Sequence, residues 1–211
     1  MPGAMHIDIL PQEQQQLFRR LSTESFLRDW YLAGGTCLAL YLGHRRSFDF
    51  DFFIHADFNT SHIVNILAGI GTYERSNEEK NTVNGILDGV KVSFLGYKYE
   101  MIDDIVNYDG IRLAGIRDIA AMKIEAIAGR GSRKDFVDLF FLLKQFSLEE
   151  ILAFHATKYG PGLNNQYHLK KSLVWFADAE PEVMPLMTAP LKWEEVKKSI
   201  SRYVRNLYPG V

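Results

Sequence analysis

One short segment, residues 47–54, alternates carboxylate and aromatic side chains and so predicts a β-strand. Strand side chains point to alternate faces, so Asp49 and Asp51 share one face and lie roughly 6–7 Å apart. The other face is aromatic, with Phe48, Phe50 and Phe52. Two acids at that spacing repel each other unless a cation lies between them. The strand therefore predicts a divalent-metal site at Asp49 and Asp51, although a half-exposed edge strand with solvated acids has the same pattern.

The segment before this strand has the order strand, double glycine, helix. Residues 30–33 form a short apolar run, and a helix is predicted at residues 37–42 with Thr36 as its N-cap. Gly34 and Gly35 lie between the two. Glycines let a backbone approach a phosphate closely, and the free N–H groups of a helix N-terminus attract negative charge. Gly34, Gly35 and Thr36 are therefore predicted to hold phosphate.

A basic loop at residues 43–47 joins that helix to the strand with the two acids. Arg45 and Arg46 are predicted to contact phosphate oxygens, with Ser47 beside them. Each feature alone has a structural explanation, a turn for the glycines and a solvated surface for the arginines. A phosphate seat, two arginines and an acid pair in this order favour a nucleotide-binding site.

These residues resemble the DNA polymerase β-type nucleotidyltransferase superfamily, and within it the AbiEii/AbiGii toxin family of nucleotidyl transferases. The resemblance rests on GGT at residues 34–36 and GHRRSFDFDFF at residues 43–53. The family's third motif, a lysine followed by an arginine about two helical turns later, matches Lys123 and Arg130. Its fourth motif, D-x-x-D, matches Asp135 and Asp138.

The resemblance implies an α+β fold, in which a polymerase β-type nucleotidyltransferase lobe (a mixed sheet with flanking helices) is followed by a C-terminal helical lobe. The pattern along the chain agrees, because strand-like runs and an Asp-Gly hairpin signal at residues 88–89 give way to helical periodicity after residue 115. The expected domains are residues 1–114, with N-terminal helices, and residues 115–211, a helical lobe that completes the active-site cleft.

The resemblance also implies a function. The chain is expected to move a nucleoside monophosphate from a nucleoside triphosphate (NTP) to a hydroxyl acceptor with Mg²⁺ or Mn²⁺ as cofactor. RNA, and transfer RNA in particular, is the expected acceptor, and a cognate antitoxin protein of a bacterial toxin–antitoxin or phage-defence system is the expected partner. Two alternatives stay open: a catalytically inactive nucleotide- or partner-binding module of the same fold, and a small-molecule (antibiotic) nucleotidyltransferase.

The third motif is predicted to bind phosphate. Lys123 and Arg130 are seven residues apart, which places them on one helix face about 10 Å from each other. That spacing suits two contacts to a triphosphate or an RNA backbone. Lys123 is also included among the expected catalytic residues, with Asp49 and Asp51.

The fourth motif is predicted to organise the site or to accept a proton. Asp135 falls near a helix N-terminus, where the helix dipole stabilises an acid. Asp138 lies in an apolar stretch, so it needs a cationic partner. The candidates for that partner are Arg45, Arg46, Lys123 and Arg130. The expected catalytic residues therefore also include Asp135 and Asp138.

One position departs from the family pattern. Polymerase β-type enzymes usually carry a third carboxylate on a neighbouring strand, and Ser93 occupies the place expected for it. A single metal held by two carboxylates and nucleotide phosphates remains compatible with Mg²⁺ chemistry. The departure puts a two-metal site in doubt and keeps the inactive alternative open.

Composition narrows the cellular setting. The formal net charge is −2 and 47% of the residues are hydrophobic, which fits a globular domain and argues against nonspecific coating of nucleic acid. The single cysteine, Cys37, excludes an internal disulfide. No apolar stretch is long enough for a membrane span, and the first residues do not resemble a secretion signal. We therefore expect a cytoplasmic protein.

Overall fold

A computed structural model describes residues 5–160 and 166–208 of the 211-residue chain. Within these ranges, the strands all lie before residue 114, interspersed with helices, and the chain after it is helical, which confirms the expected α+β class. The α-helices are α1 Gln12–Leu21, α2 Gly34–Leu42, α3 Thr60–Ile70, α4 Ile116–Gly129, α5 Arg133–Leu142, α6 Leu148–Tyr159, α7 Gln166–Ser172 and α8 Trp193–Leu207. The strands are β1 Tyr31–Ala33, β2 Asp49–Ile54, β3 Tyr73–Glu79, β4 Thr82–Leu87, β5 Val90–Gly96, β6 Val106–Tyr108 and β7 Ile111–Leu113.

The described strands form one mixed sheet in the order β3-β4-β5-β2-β1-β7-β6. β2 lies near its centre, antiparallel to β1 and parallel to β5. This register sets Asp51 beside Ala33 on one side and beside Ser93 on the other. The two parallel pairings require crossover connections, which bring β5 beside β2, the strand with the acids, and β7 beside β1.

The aromatic face of β2 forms much of the core. Phe50 and Phe52 are buried, and Phe50 lies against Phe18 of α1 with ring centroids 6.0 Å apart. Phe52 stacks on Phe94 of β5 at 5.2 Å. Phe48 does not follow this pattern, because β2 begins at Asp49 and the Phe48 ring is exposed. The prediction that all three phenylalanines pack on one face was therefore wrong for Phe48.

Asp-Gly turns join two pairs of strands. The predicted hairpin of β4 and β5 turns at Asp88 and Gly89, which have φ angles of 47° and 81°, and is confirmed. The same dipeptide, Asp109-Gly110 with φ angles of 46° and 85°, joins β6 to β7. The sequence around residues 110–112 predicts only one edge strand, so the pairing of two strands here is a correction. The dipeptide was the signal for this second hairpin.

The boundaries of two helices correct details of the prediction. α2 begins at Gly34, and its N-cap is Ala33, so Thr36 lies inside the first turn. α4 ends at Gly129, so Arg130 follows the helix that carries Lys123. The helix predicted at residues 165–176 corresponds to α7, and its first residue lies outside the described residues. Within the described ranges, no helix combines the length and the apolar composition that a bilayer crossing requires.

Candidate active site

Asp49 and Asp51 face a cavity of about 250 Å³ between the sheet and the helices after it. Its opposite wall comes from α4 and from the start of α5, including Lys123, Arg130 and Lys134. Gly34, Gly35, Arg45 and Ser47 also line it, as do the apolar side chains of Phe53, Leu95, Met122 and Ala126. The structure thus brings the two acids, the double glycine and the lysine–arginine motif to one cavity.

The two glycines make room for charged side chains. Gly34 has a φ of +71°, and a Cβ there would lie 2.9 Å from Asp51 Oδ2. A Cβ on Gly35 would lie 2.5 Å from Arg45 Nη2. Both positions therefore need glycine, Gly34 for its backbone conformation as well. Because these glycines begin α2, the unpaired N–H groups of its first turn lie beside the acids.

Thr36 supports β2, the strand that carries the two acids, from the buried side. Its side chain is buried, and Thr36 Oγ1 contacts Ser47 Oγ at 2.8 Å and the main-chain oxygen of Asp49. Ser47 Oγ in turn donates to Asp49 Oδ1 at 3.3 Å. Thr36 does not line the cavity. Its predicted role in phosphate binding thus lacks a direct geometric basis, and its contacts place it under Asp49.

Asp135 and Asp138 are fully buried beside the cavity and belong to an ion-pair network. We call the network the site cluster: Arg45, Lys123, Arg130, Asp135 and Asp138. Lys123 Nζ bridges the two acids, at 2.9 Å from Asp135 Oδ1 and 2.7 Å from Asp138 Oδ2. Arg45 binds Asp138 in a bidentate way, with Nε 2.6 Å from Oδ1 and Nη2 2.9 Å from Oδ2.

The rest of the site cluster anchors Asp135. Arg130 Nε donates to Asp135 Oδ2 at 2.8 Å, and Ser132 Oγ donates to the same oxygen at 2.6 Å. The imidazole of His44 lies 2.8 Å from Asp138 Oδ1. Asp138 thus has the cationic partners that the sequence required, Arg45 and Lys123. Neither acid lines the cavity, so the geometry favours organisation of the site over direct proton transfer for this pair.

The ionisation of these acids follows their surroundings. Burial alone would raise the pKa of Asp138, but the charges of Arg45 and Lys123 hold that pKa well below its ordinary value. Lys123 and Arg130 likewise lower the pKa of Asp135 against the effect of burial. Asp51 behaves in the opposite way, because burial and the charge of Asp49 together raise its pKa. The surroundings therefore favour the ionised form of the two site-cluster acids and disfavour that of Asp51.

One cation predicted for the cavity lies outside it, and one cation that lines the cavity was not predicted. Arg46 is exposed and lines a neighbouring groove, outside the carboxylate cavity. Lys134 lines both spaces and was not predicted. The signal for it was local: Lys134 stands in the first turn of α5, where the helix dipole disfavours a cation. In the structure, the charge of Lys134 acts on Asp51 across the cavity.

The residues present fit one divalent cation. Among the described residues, neither Asp49 nor Asp51 forms an ion pair, so two like charges share a cavity without direct compensation. Mg²⁺ commonly takes one or two protein carboxylates and completes its shell with phosphates and water. Ser93, paired with Asp51 in the β-ladder, supplies a hydroxyl hydrogen bond to Asp51 in place of a third carboxylate. The described part of the chain holds no group of three or more His, Cys, Asp or Glu side chains that could hold a metal ion by themselves.

Comparisons with known proteins agree with this geometry. The family model described as nucleotidyl transferase AbiEii toxin, type IV TA system, matches residues 15–113. An Aquifex aeolicus (strain VF5) protein, described as uncharacterized protein aq_aa25, is 37% identical over 203 residues and is matched over 96% of its length, with 93% of this chain covered. The matched range includes β2, the glycines and the basic loop.

Solved structures share the fold at low sequence identity. JHP933 from Helicobacter pylori superposes with a TM-score of 0.55 at 16% identity, covering 94% of this chain and 90% of that one. MenT4, the nucleotidyltransferase toxin Rv2826c of Mycobacterium tuberculosis H37Rv, has a TM-score of 0.51 at 12% identity, covering 93% and 86%. These likenesses extend over the helical half as well as the sheet.

Proposed function

We propose that this chain moves a nucleoside monophosphate from an NTP to a hydroxyl of RNA. The premise is that it belongs to the AbiEii family of nucleotidyl transferase toxins and is a nucleotidyltransferase. The expected acceptor is transfer RNA, and the expected cofactor is Mg²⁺ or Mn²⁺. A cognate antitoxin protein and a cytoplasmic location complete the proposal. Family membership supports the reaction class, and the details rest on the site.

One observation carries the proposal: two uncompensated carboxylates face a glycine-lined cavity whose other wall is cationic. In-line nucleotidyl transfer needs these parts, because charge must be balanced on the attacking oxygen and on the departing pyrophosphate. A structural acid pair would have its counter-ions within the protein, as Asp135 and Asp138 do. Within the described ranges, Asp49 and Asp51 form no such ion pair, and the cations of the opposite wall act on them only across the cavity. A metal–nucleotide complex would supply the counter-ion between them.

The triphosphate is expected between the start of α2 and the helical wall. The first-turn N–H groups at Gly34 and Gly35 favour anions. Lys123 lines the cavity, and an ammonium bound to two acids keeps a further N–H donor for a phosphate. Arg130 and Lys134 add positive charge that is partly or largely exposed to the cavity and solvent. Ser47 and Arg45 close the edge of the cavity near β2.

In the proposed reaction, a hydroxyl oxygen of the acceptor bonds to the α-phosphorus as the bond from that phosphorus to the bridging oxygen breaks. The products are a phosphodiester and pyrophosphate, and the hydroxyl proton leaves to solvent. When bound, the metal would balance phosphate charge and help to align the α-phosphorus. Asp49 and Asp51 would hold it. The cations of the wall would stabilise the charge that accumulates on pyrophosphate.

Asp135 and Asp138 are proposed as positioning residues. Their four carboxylate oxygens fix Arg45, Lys123 and Arg130 at the cavity edge. The three cations exceed the two acids by one positive charge. The site cluster therefore presents net positive charge to the cavity in a fixed geometry, which is what preorganised stabilisation of a phosphate requires.

Labelled transfer tests the proposal directly. Purified protein is incubated with each α-labelled NTP, Mg²⁺ and total RNA, and the label on RNA is followed by gel electrophoresis. Transfer is expected for the wild type, with loss on chelation by EDTA and in Asp49→Ala. The matched control is Asp57→Ala, an exposed acid that lies beyond the end of the same strand.

The outcomes separate the hypotheses. Absence of metal-dependent label on RNA for wild type and Asp49→Ala alike would remove the proposed reaction. Label on a small molecule, with none on RNA, would support the small-molecule alternative. NTP binding by calorimetry that survives both Asp49→Ala and chelation, without any transfer, would leave a nucleotide-binding module, for which Ser93 in place of a carboxylate is the motivating feature.

A further inference from the structure

A second concave space, which we call the Phe48 groove, opens directly beside the carboxylate cavity. It measures about 620 Å³ and shares Arg45, Ser47, Asp49 and Lys134 with that cavity. Its own walls come from Arg46, Phe48 and the loop of residues 182–186. A molecule in this groove can therefore reach Asp49 without crossing any element of the fold.

The Phe48 groove exposes an unusual amount of apolar surface. Phe48 is 52% exposed, Val183 87% and Leu186 58%. Within the described ranges, six large hydrophobic side chains are exposed, and these three all line this one groove. Isolated exposed apolar side chains are ordinary, but a cluster beside a reaction centre marks a binding surface.

The loop that forms the far wall is held in place. Arg46 N–H donates to the Leu186 carbonyl at 2.8 Å, and Thr188 Oγ1 donates to the Gly43 carbonyl at 2.7 Å. At its other end, Arg133 N–H donates to Glu182 at 2.8 Å. The loop is therefore fixed to the basic segment before β2 and to the start of α5. The groove is formed before any ligand arrives.

Two cations of the groove are available to bind phosphate. Among the described residues, the side chains of Arg46 and Lys134 form no ion pair or hydrogen bond. The groove also holds two acids: Asp49, the proposed metal ligand, and Glu182, which accepts a hydrogen bond from Arg133 N–H. An exposed aromatic ring between unpaired cations suits stacking of a base and contact to phosphates. The base and ribose of an incoming NTP carry no charge, and its phosphates have their own cations in the cavity. The free cations of the groove match the backbone of a polynucleotide instead.

Resting on the proposed function, we propose that the Phe48 groove binds the single-stranded end of the acceptor RNA, with a base against Phe48 and backbone phosphate at Arg46. Lys134 stands at the border that the groove shares with the NTP phosphates. The shared residue Asp49 lies where the groove meets the cavity, so the terminal hydroxyl enters from the groove side. The NTP occupies the cavity. This assigns Phe48 and Arg46 as acceptor-binding residues.

RNA binding without reaction tests the groove. The probe is a fluorescein-labelled single-stranded RNA of about ten nucleotides, followed by anisotropy without NTP. Phe48→Ala is expected to weaken binding about tenfold, whereas Phe48→Tyr keeps it. Arg46→Gln is expected to weaken binding and to reduce the salt dependence, log Kd against log salt, by about 0.7. The control is Trp175→Ala, an exposed aromatic outside the groove.

NTP binding by calorimetry distinguishes the two substrates. The assignment holds if Phe48→Ala weakens RNA binding and leaves NTP affinity unchanged. It is overturned if Phe48→Ala weakens NTP binding alone, or if neither ligand is affected. It is also overturned if RNA binding is unchanged while Phe48→Ala releases a protein that co-purifies with the wild type, since the groove then serves a protein partner.

The failure of this inference can be told apart from that of the proposed function. If the wild type transfers label to RNA but Phe48→Ala leaves KM for RNA unchanged, only the groove assignment fails. If the wild type transfers nothing but binds the RNA probe in a Phe48-dependent way, the reaction fails and the groove stands as an RNA site.

Discussion

Two residues of α4, Asp118 and Lys123, take part in buried lysine–aspartate ion pairs, and the two places differ in what surrounds them. Near the start of the helix, Lys158 and Asp118, which we call the closed pair, meet at 2.6 Å with both side chains fully buried. In the next turns, Lys123 bridges Asp135 and Asp138 within the site cluster. By burial of charge alone, the two places are alike.

The closed pair is balanced in charge and in hydrogen bonds. Lys158 Nζ also donates to the Glu100 carbonyl at 2.8 Å, and Asp118 accepts the N–H groups of Ile102 and Asp103, each at 2.9 Å. One cation meets one acid. This contact fastens α6 and the segment before β6 to α4, and it leaves nothing over for a ligand.

The site cluster carries one more cation than acids and borders a cavity. The comparison teaches that burial of an ion pair is weak evidence of function. Surplus charge at the edge of an open space is stronger evidence, because the protein itself does not use it. Substitutions in the two places should therefore separate stability from activity.

The largest effect on stability is expected at the closed pair. Lys158→Met leaves Asp118 charged and buried, so the free energy of unfolding should fall by about 3–5 kcal/mol. Transfer per folded molecule should stay at the wild-type rate. Urea unfolding and the labelled-transfer assay measure the two. Adding Asp118→Asn should recover much of the stability, and a stable Lys158→Met that has lost transfer would contradict the distinction.

Lys123→Met should show the reverse pattern. Transfer should fall by about 100- to 1000-fold, because a cation that faces the pyrophosphate is removed. Stability should fall less than in Lys158→Met, by about 1–3 kcal/mol, since Arg45 still holds Asp138 and Arg130 still holds Asp135. The same two assays apply. Retained transfer in a variant as unstable as Lys158→Met would make Lys123 a structural residue.

Lowering the pH should reduce the free energy of unfolding through the site cluster, by less than Lys158→Met does. The pKa values of Asp135 and Asp138 are lowered in the folded chain, so their ionised forms stabilise the fold above the ordinary value of 3.8. That stabilisation is lost as the pH falls through and below this value, by about 2 kcal/mol for one such carboxyl. Unfolding free energies measured from about pH 6 to pH 3 should decline for the wild type. The decline should be shallower in Asp138→Asn, and equal slopes would contradict this account.

Local pattern was enough to predict most elements, whereas Lys123 and Arg130 of the cavity wall were predicted through the family resemblance. The alternation at β2, the Asp-Gly turn at Asp88 and the helical periodicity after residue 115 act over a few residues, so sequence shows them. The register that sets Ser93 beside Asp51 was also expected, and the β-ladder confirms it. Spacing alone could not show that Arg45 meets Asp138, 93 positions away, rather than a phosphate.

The errors have physical causes. Thr36 looked like an N-cap, but Gly34 adopts a φ of +71° and lets α2 start three residues earlier. Phe48 looked like a core residue because it continues the alternation, yet the strand begins only at Asp49, where pairing with β5 begins. Lys134 went unnoticed because a lysine at a helix start reads as a solvated surface until the cavity beside it is known.

The smallest effect on stability, and one of opposite sign, is expected at Asp51. Because burial and Asp49 raise the pKa of Asp51 in the folded chain, its ionised form opposes folding at neutral pH. Asp51→Asn should therefore raise the free energy of unfolding by about 1 kcal/mol while it abolishes transfer, as substitutions at strained active sites do. The same change at Asp118 should destabilise, because that acid has its counter-ion within the fold. If Asp51→Asn also destabilised the metal-free protein, Asp51 would be compensated in the fold, and the contrast between the two regions would fail.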